Sequence, residues 1–171
     1  PLAVGLEYGS GRTYEPEDMR ANRRRCVDLI KRVHREVPLH LRGPTLAFNV
    51  FHIIRDYAHT LVEDKSRMST KLPRLLAASE ILEKATGAID LVFGHNDLLA
   101  ANFIDDGRRL WLVDWDYAGW NTPLFDLGGL SSNNGFDAAD DDAMLEDYFE
   151  VAPTDALRRR FKAMLCASLL R

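Results

Sequence analysis

Three polar residues in the middle of the chain have the types and the spacing that magnesium-dependent phosphoryl transfer requires. Asp97 and Asn102 stand in the pattern H-x-D-x4-N, and Asp114 follows twelve residues later at the end of an apolar run. Transfer of a phosphoryl group from ATP needs a carboxylate beside the attacking hydroxyl, and it needs hard oxygen ligands for Mg²⁺. The sequence therefore predicts ATP and Mg²⁺ as cofactors of a site built from these residues.

A predicted hairpin would bring these residues together. The Asp-Gly pair at residues 106–107 is a strong signal for a tight turn, and the runs 102–104 and 110–115 on either side of it are predicted as short strands. If these runs pair as strands, Asn102 and Asp114 lie close together on neighbouring strands. Another short apolar run at residues 91–93 predicts a strand, and Asp97 falls in the loop that follows it.

The remaining elements are predicted as helices, because their apolar residues recur three and four positions apart. Cys26, Ile30, Val33 and Val37 mark one face of the first long helix, which Pro38 ends. Further helices are predicted over residues 49–64 and 69–87, from residue 125 onward, from a cap at residue 137 or 140, and from a cap at residue 154. The sequence thus predicts an α+β, mainly helical fold with one small central β-hairpin.

Composition excludes several classes of protein. The 171 residues are 46% apolar and 28% charged, which is typical of a globular domain. A formal net charge of −4 argues against a nucleic-acid partner, which would need a basic excess. No run approaches the ~20 apolar residues of a membrane span. Cys26 and Cys166 lie in apolar helical stripes without a metal-binding spacing, so we expect buried free thiols and a cytoplasmic protein.

The polar pattern also carries a family resemblance. The segment Gly94 to Gly119 resembles the catalytic segment of the choline/ethanolamine kinases and aminoglycoside phosphotransferases, whose fold is similar to that of protein kinases. The resemblance implies that Asp97 is the catalytic base, that Asn102 binds metal, and that Asp114 holds Mg²⁺ against the phosphates. The string DYAGWNTPLFDL, which begins at residue 116, resembles the choline kinase branch in particular.

Several residues just beyond the metal-binding Asp could hold the acceptor. A quaternary ammonium group is bound by aromatic faces and nearby carboxylates. Asp116, Tyr117 and Trp120 could form such a wall around a small amino alcohol, choline or ethanolamine. Tyr117 and Trp120 could equally be packed in the lobe, and Trp115 is expected in its core.

Two neighbours of the site are expected to have structural roles. In the family that the segment resembles, the residue at the position of His95 usually organises the loop backbone. Asp126 begins the next helix, and in a kinase-like fold an Asp at that point hydrogen-bonds the backbone of the catalytic loop. We expect neither residue to touch the reacting atoms.

Residues 2–8 are predicted as a short strand. By resemblance, residues 2–11 match the hinge strand between the two lobes of this fold. The ATP-binding lobe of such kinases supplies a glycine-rich loop and a strand lysine, and neither occurs before Asp97. We therefore expect residues 1–171 to form the C-terminal catalytic lobe from the hinge onward, without the N-terminal ATP-binding lobe. By themselves they should fold but transfer little phosphate, because the phosphates would not be positioned.

Other functions stay open at this point. The acceptor could be an aminoglycoside, thiamine or a sugar, or the domain could be a non-catalytic pseudokinase. The complete set of Asp97, Asn102 and Asp114 argues against a pseudokinase. A metal-dependent hydrolase would need a histidine-rich ligand set, and of the five histidines only His95 is near the carboxylates.

Overall fold

A computed structural model describes residues 11–170, which form a mainly helical fold with two small sheets. The α-helices are α1 Pro16–Ala21, α2 Arg23–Glu36, α3 Val50–Glu63, α4 Leu72–Thr86, α5 Pro123–Asn133, α6 Ala138–Phe149 and α7 Asp155–Leu170. The strands are β1 Arg12–Thr13, β2 Val92–Gly94, β3 Phe103–Asp105, β4 Leu110–Leu112 and β5 Gly119–Asn121, and 3₁₀ turns cover Val37–His40, Arg67–Lys71 and Ala100–Asn102. The predicted fold class is thereby confirmed, while the strand predicted over residues 2–8 lies outside the described residues.

The predicted hairpin forms one side of a three-stranded antiparallel sheet in the order β1-β3-β4. Phe103 pairs with Leu112 across β3 and β4, so the hairpin expected from the Asp-Gly turn is confirmed. Asp105 at the end of β3 accepts hydrogen bonds from both terminal nitrogens of Arg25 and, at 2.9 Å, from the hydroxyl of Tyr14. These contacts fasten the hairpin to α2 and to the residue that follows β1.

A second sheet pairs β2 with β5, a strand that the sequence did not predict. Gly119, the first residue of β5, lies very close to the loop before α3. A Cβ atom at Gly119 would lie 2.7 Å from the carbonyl oxygen of Leu46 in that loop. The same oxygen accepts a hydrogen bond from the N–H of Trp120 at 2.8 Å, and Phe48 donates to the Trp120 carbonyl at 2.9 Å. Only glycine lets the loop and the strand lie this close.

A side chain at Gly119 is therefore expected to destabilise the fold. Gly119→Ala should lower the free energy of unfolding by about 1–3 kcal/mol, because the backbone of Leu46 cannot move away without losing its hydrogen bond. Urea denaturation measures the change. Gly129→Ala is the matched control, since a Cβ atom in this α5 position meets nothing closer than 4.0 Å. The close-approach argument fails if Gly119→Ala is as stable as the parent protein.

The helical core is centred on α5, which packs against α7, while α7 also contacts α4. Gly128 of α5 admits the backbone of α7 so closely that an added Cβ atom would lie 3.0 Å from the nitrogen of Leu165. Phe125 and Leu127 of α5 and Phe161 of α7 are almost fully buried in this core. Of the described helices, none is long and apolar enough to cross a membrane.

The prediction that both thiols are buried is wrong for one of them. Cys26 is buried in α2, whereas Cys166 is exposed on α7. The buried face of α7 is formed by Phe161, Ala163, Met164 and Ala167. At about 100° of rotation per residue, Cys166 falls outside the arc that these four residues cover.

Candidate active site

The buried ring of His95 fixes the loop that carries Asp97. Its Nδ1 accepts a hydrogen bond from the backbone N–H of Asp97 at 3.3 Å, and its Nε2 lies 2.9 Å from the carbonyl oxygen of Val113. Because Nδ1 accepts, Nε2 carries the hydrogen and donates it to Val113. One imidazole therefore joins the Asp97 loop to the residue before Asp114, in agreement with the organising role expected of it.

Asn102 connects the same loop to the hairpin. The side-chain nitrogen of Asn102 donates to the backbone carbonyl oxygen of Asp97 at 2.9 Å. The backbone carbonyl oxygen of Asn102 accepts a hydrogen bond from the N–H of Val113 at 3.0 Å. With its nitrogen facing the loop carbonyl, the amide keeps Oδ1 as the atom that a metal ion would use. Asn102 thus joins the Asp97 loop to Val113, the residue before Asp114.

Asp114 has a backbone conformation that few residues adopt. Its φ of 63° lies in the left-handed region, which Asp and Asn tolerate better than most residues. This conformation ends the strand, so that β4 stops at Leu112 and does not reach residue 115 as predicted. Asp114 is exposed and Asp97 is half-buried, so both residues keep contact with solvent.

A buried carboxylate holds the backbone of the Asp97 loop. Asp126, in the first turn of α5, accepts hydrogen bonds from the N–H groups of His95 at 2.8 Å and Asn96 at 2.7 Å, which confirms the expected contact. His34 of α2 adds a third bond at 2.9 Å. Burial by itself raises the pKa of Asp126, but the hydrogen bond and charge of His34 and the two backbone N–H groups outweigh it, so the pKa lies below its ordinary value. The carboxylate is therefore ionised at neutral pH.

Asn96 connects the loop to the segment that is predicted to bind the acceptor. Its side-chain nitrogen donates to the carbonyl oxygen of Tyr117 at 2.9 Å, and its Oδ1 accepts from the side chain of Asn121 at 3.1 Å. Its φ of 67° is again left-handed, a conformation that asparagine tolerates. Sequence reasoning passed over this residue, because it occupies the unassigned position between His95 and Asp97.

The predicted acceptor residues stand on two different elements. Asp116 and Tyr117 lie exposed in the turn before β5, and the Tyr117 ring packs edge-on against Phe48 with 6.3 Å between centroids. Trp120 is half-buried in β5 and packs edge-on against Phe93 of β2 at 6.0 Å. An acidic and an aromatic residue are therefore neighbours on the turn, while Trp120 stands on the two-stranded sheet behind it.

Trp115 is not in the core, contrary to the expectation from sequence. Its exposed fraction is 38%, its ring packs edge-on against His95 at 4.9 Å, and its indole N–H donates to the carbonyl oxygen of Leu112 at 3.0 Å. Because the left-handed residue Asp114 ends β4, Trp115 no longer follows the alternation of that strand. It covers the His95 ring from the solvent side.

Two buried polar residues near this site were missed by sequence reasoning. His34 contacts Asp126, and its Nδ1 lies 2.7 Å from the hydroxyl of Tyr148 in α6. A signal for His34 was present, since it follows Ile30 by four residues on the apolar face of α2, where a histidine must be paired. Tyr148 stands among apolar residues of α6 and gave no such signal.

The donor atoms at the hairpin fit a hard divalent cation. Asp114 offers a carboxylate and Asn102 an amide oxygen, and Mg²⁺ is usually bound by one or two carboxylates together with water and substrate phosphates. In residues 11–170 no three His, Cys, Asp or Glu side chains are grouped so that they could hold a metal ion by themselves. Phosphate oxygens of a nucleotide would complete the shell.

This helical lobe, with a polar loop and hairpin at its site, is that of a kinase-like phosphotransferase. Residues 3–162 match the phosphotransferase enzyme family, and the chain belongs to that family. Within it, the chain falls among the choline/ethanolamine kinases, so the resemblance found in the sequence is confirmed.

Individual relatives agree with this placement. LicA of Haemophilus influenzae is 32% identical over 104 residues, which cover 59% of this chain and 39% of LicA. Human ethanolamine kinase 2 is 30% identical over 137 residues, which cover 71% of this chain and 33% of the kinase. A solved structure of a choline/ethanolamine kinase family protein from Mesorhizobium loti superimposes with a TM-score of 0.80 and 27% identity. The match covers 95% of this chain and 56% of the Mesorhizobium loti chain. The chain thus matches between a third and two fifths of LicA and the human kinase.

Proposed function

We propose that this chain is the catalytic lobe of an ATP-dependent kinase that phosphorylates the hydroxyl group of a small amino alcohol, choline or ethanolamine. The observation that carries the proposal is the set of hydrogen bonds that ties the Asp97 loop to Asn102 and to Val113, the residue before Asp114, in a member of the phosphotransferase family. The ATP-binding lobe that such an enzyme needs is proposed to be a separate part of the functional protein.

The proposed roles follow from the chemistry of each group. The oxygen of the acceptor hydroxyl forms a bond to the γ-phosphorus while the bond between that phosphorus and the ADP oxygen breaks. Asp97 accepts the proton that the hydroxyl loses. Asn102 and Asp114 hold Mg²⁺, which when bound neutralises charge on the phosphates. His95 and Asp126 hold the loop so that the carboxylate of Asp97 stays beside the hydroxyl.

The acceptor is assigned to the turn before β5. Asp116 supplies a carboxylate for the positive charge of an amino alcohol, and the exposed ring of Tyr117 supplies an aromatic face. Trp120 is the third proposed contact. The similarity to ethanolamine kinases supports a cationic alcohol over a neutral sugar.

An acceptor panel with the full-length protein tests the proposal. Choline, ethanolamine, an aminoglycoside, thiamine and a neutral sugar are each supplied with ATP and Mg²⁺, and ADP release is measured. We expect choline or ethanolamine to saturate the enzyme with a KM of about 1 μM–1 mM. Preference for another acceptor would favour the related small-molecule phosphotransferases, and transfer to none of them would favour a pseudokinase.

Removal of the Asp114 charge should weaken the response to magnesium. Asp114→Asn should not strain the backbone, because Asn tolerates the left-handed conformation as Asp does. The substitution removes a charged metal ligand, so the Mg²⁺ concentration for half-maximal activity should rise at least about 10-fold. Asp116→Asn, on the same turn, should instead raise the KM for the cationic acceptor and leave the Mg²⁺ requirement unchanged. Mg²⁺ titrations of both variants separate the roles, and an unchanged requirement in Asp114→Asn contradicts its assignment.

A further inference from the structure

The interior of the lobe contains a line of polar groups that ends at the catalytic loop. His34 of α2 lies between the carboxylate of Asp126 in α5 and the hydroxyl of Tyr148 in α6, with Nε2 2.9 Å from Asp126 Oδ2 and Nδ1 2.7 Å from the phenol oxygen. The side chains of His34 and Asp126 are 0% and 1% exposed. Such groups are costly to bury, so their arrangement calls for a function.

The direction of the hydrogen bonds follows from the chemistry of the partners. Asp126 is ionised and can only accept, so Nε2 of His34 carries a hydrogen and donates it. Burial raises the pKa of Tyr148, and the nearby Asp126 adds to the effect, so the phenol keeps its hydrogen at neutral pH. If the His34 ring is neutral, the Tyr148 hydroxyl donates a hydrogen bond to its Nδ1. If the ring is charged, the Tyr148 oxygen accepts a hydrogen bond from Nδ1–H, so Nδ1 has a hydrogen-bond partner in both cases.

Packing alone does not require a histidine at this position. The neighbouring buried residues of α2, Val27 and Ile30, are aliphatic, and an aliphatic side chain would fill the space between α2 and α6 without the cost of desolvation. What His34 adds is an N–H donor to Oδ2 of Asp126. That same oxygen accepts the N–H of His95, so the histidine restricts the rotation of the carboxylate that holds the loop.

We infer that His34 is a positioning residue for Asp97, which it holds in place through Asp126 and the loop backbone, and that Tyr148 orients its ring. This inference rests on the proposed function of Asp97. Asp126 binds the N–H groups of His95 and Asn96, and Asp97 is the next residue along the chain. A displacement of about 1 Å in a reacting group can cost on the order of 10²-fold in rate, so the effect appears in kcat rather than in substrate binding.

Two substitutions in the full-length protein distinguish positioning from general stability. His34→Gln places a side-chain N–H near the position of Nε2, whereas His34→Asn ends near Nδ1 and cannot reach Asp126. We expect His34→Asn to lower kcat about 10- to 100-fold, with the KM values for ATP and acceptor changed by less than about 3-fold. His34→Gln should recover most of the loss, and Tyr148→Phe should lower kcat by less than His34→Asn does.

Ile30→Val, one turn earlier on the same buried face, is the matched control for packing and should leave kcat unchanged. Hydrogen exchange at the N–H groups of His95 and Asn96 gives a readout that does not depend on activity, and it should be faster in His34→Asn than in His34→Gln. Equal kcat and equal exchange in the Gln and Asn variants would overturn the inference. If the parent protein phosphorylates no acceptor, the proposed function fails, and the exchange rates still decide whether His34 holds the loop.

Discussion

Replacement of Asp97 by Asn in the full-length protein is expected to lower kcat for phosphoryl transfer by about 10²–10⁴-fold, the range typical of a lost general base. Asn has nearly the same shape as Asp but cannot accept a proton from the acceptor hydroxyl. The fold should be intact, because the hydrogen bonds that residue 97 makes with His95 and Asn102 use its backbone N–H and carbonyl. Steady-state kinetics and thermal unfolding measure the two effects.

Asp28→Asn is the control for this experiment, since Asp28 is an exposed carboxylate on α2. It should leave both kcat and stability near those of the parent protein. If Asp97→Asn keeps more than about a tenth of the parent turnover, the contribution of the carboxylate is too small for a general base. The assignment of Asp97 would then be wrong, although the fold and family would stand.

The largest effect on stability is expected at Asp126. Asp126→Ala removes the acceptor of three buried N–H groups, from His34, His95 and Asn96. Loss of one partner from a buried charged pair typically costs about 3–5 kcal/mol, because the remaining groups stay desolvated. Urea denaturation should show a loss of this size, accompanied by loss of activity in the folded fraction.

The pH dependence of this effect has a definite sign. The pKa of Asp126 is lower in the folded protein than in the unfolded chain, where it is about 3.9. Its stabilisation is therefore complete above the unfolded-state pKa and is lost as the pH falls through the lower folded-state value. The part of the difference in unfolding free energy between the parent and Asp126→Ala that comes from the Asp126 carboxylate should shrink as the pH falls below about 4.

Asp141 provides a matched control, because it is a buried carboxylate of α6 whose partners are Ser131 and Lys162. Asp141→Asn should also destabilise the protein, but kcat of the folded enzyme should be kept. A difference in stability of less than about 1 kcal/mol for Asp126→Ala would show that the three N–H groups find other partners.

Local signals predicted much of this site. The Asp-Gly turn places β3 beside β4, and residues 50–63 and 155–170 form helices close to the ranges expected from their apolar periodicity. For the turn and the helices, the information lies within a few residues of the element concerned. The contact of Asp126 with the catalytic loop was predicted instead from the resemblance to the kinase-like fold, and it is confirmed.

The features that sequence reasoning missed depend on contacts between distant segments. The strand β5 exists because Trp120 pairs with Phe93 and with the loop at Leu46, and neither partner is near it in the chain. The exposure of Trp115 follows from the backbone conformation of Asp114, which no residue type dictates. The pairing of His34 with Tyr148 joins residues 114 positions apart.

The two thiols, Cys26 and Cys166, differ in the state of the protein in which they can be alkylated. Cys166 is accessible to alkylating reagents in the folded protein. Cys26 is buried on the inner face of α2, and this burial raises the pKa of its thiol to about 12. Because only the thiolate is nucleophilic, Cys26 reacts when the lobe opens. The unmodified chain therefore carries an exposed thiol to which a fluorescent reporter can be attached, and a buried thiol whose alkylation measures how often the lobe opens.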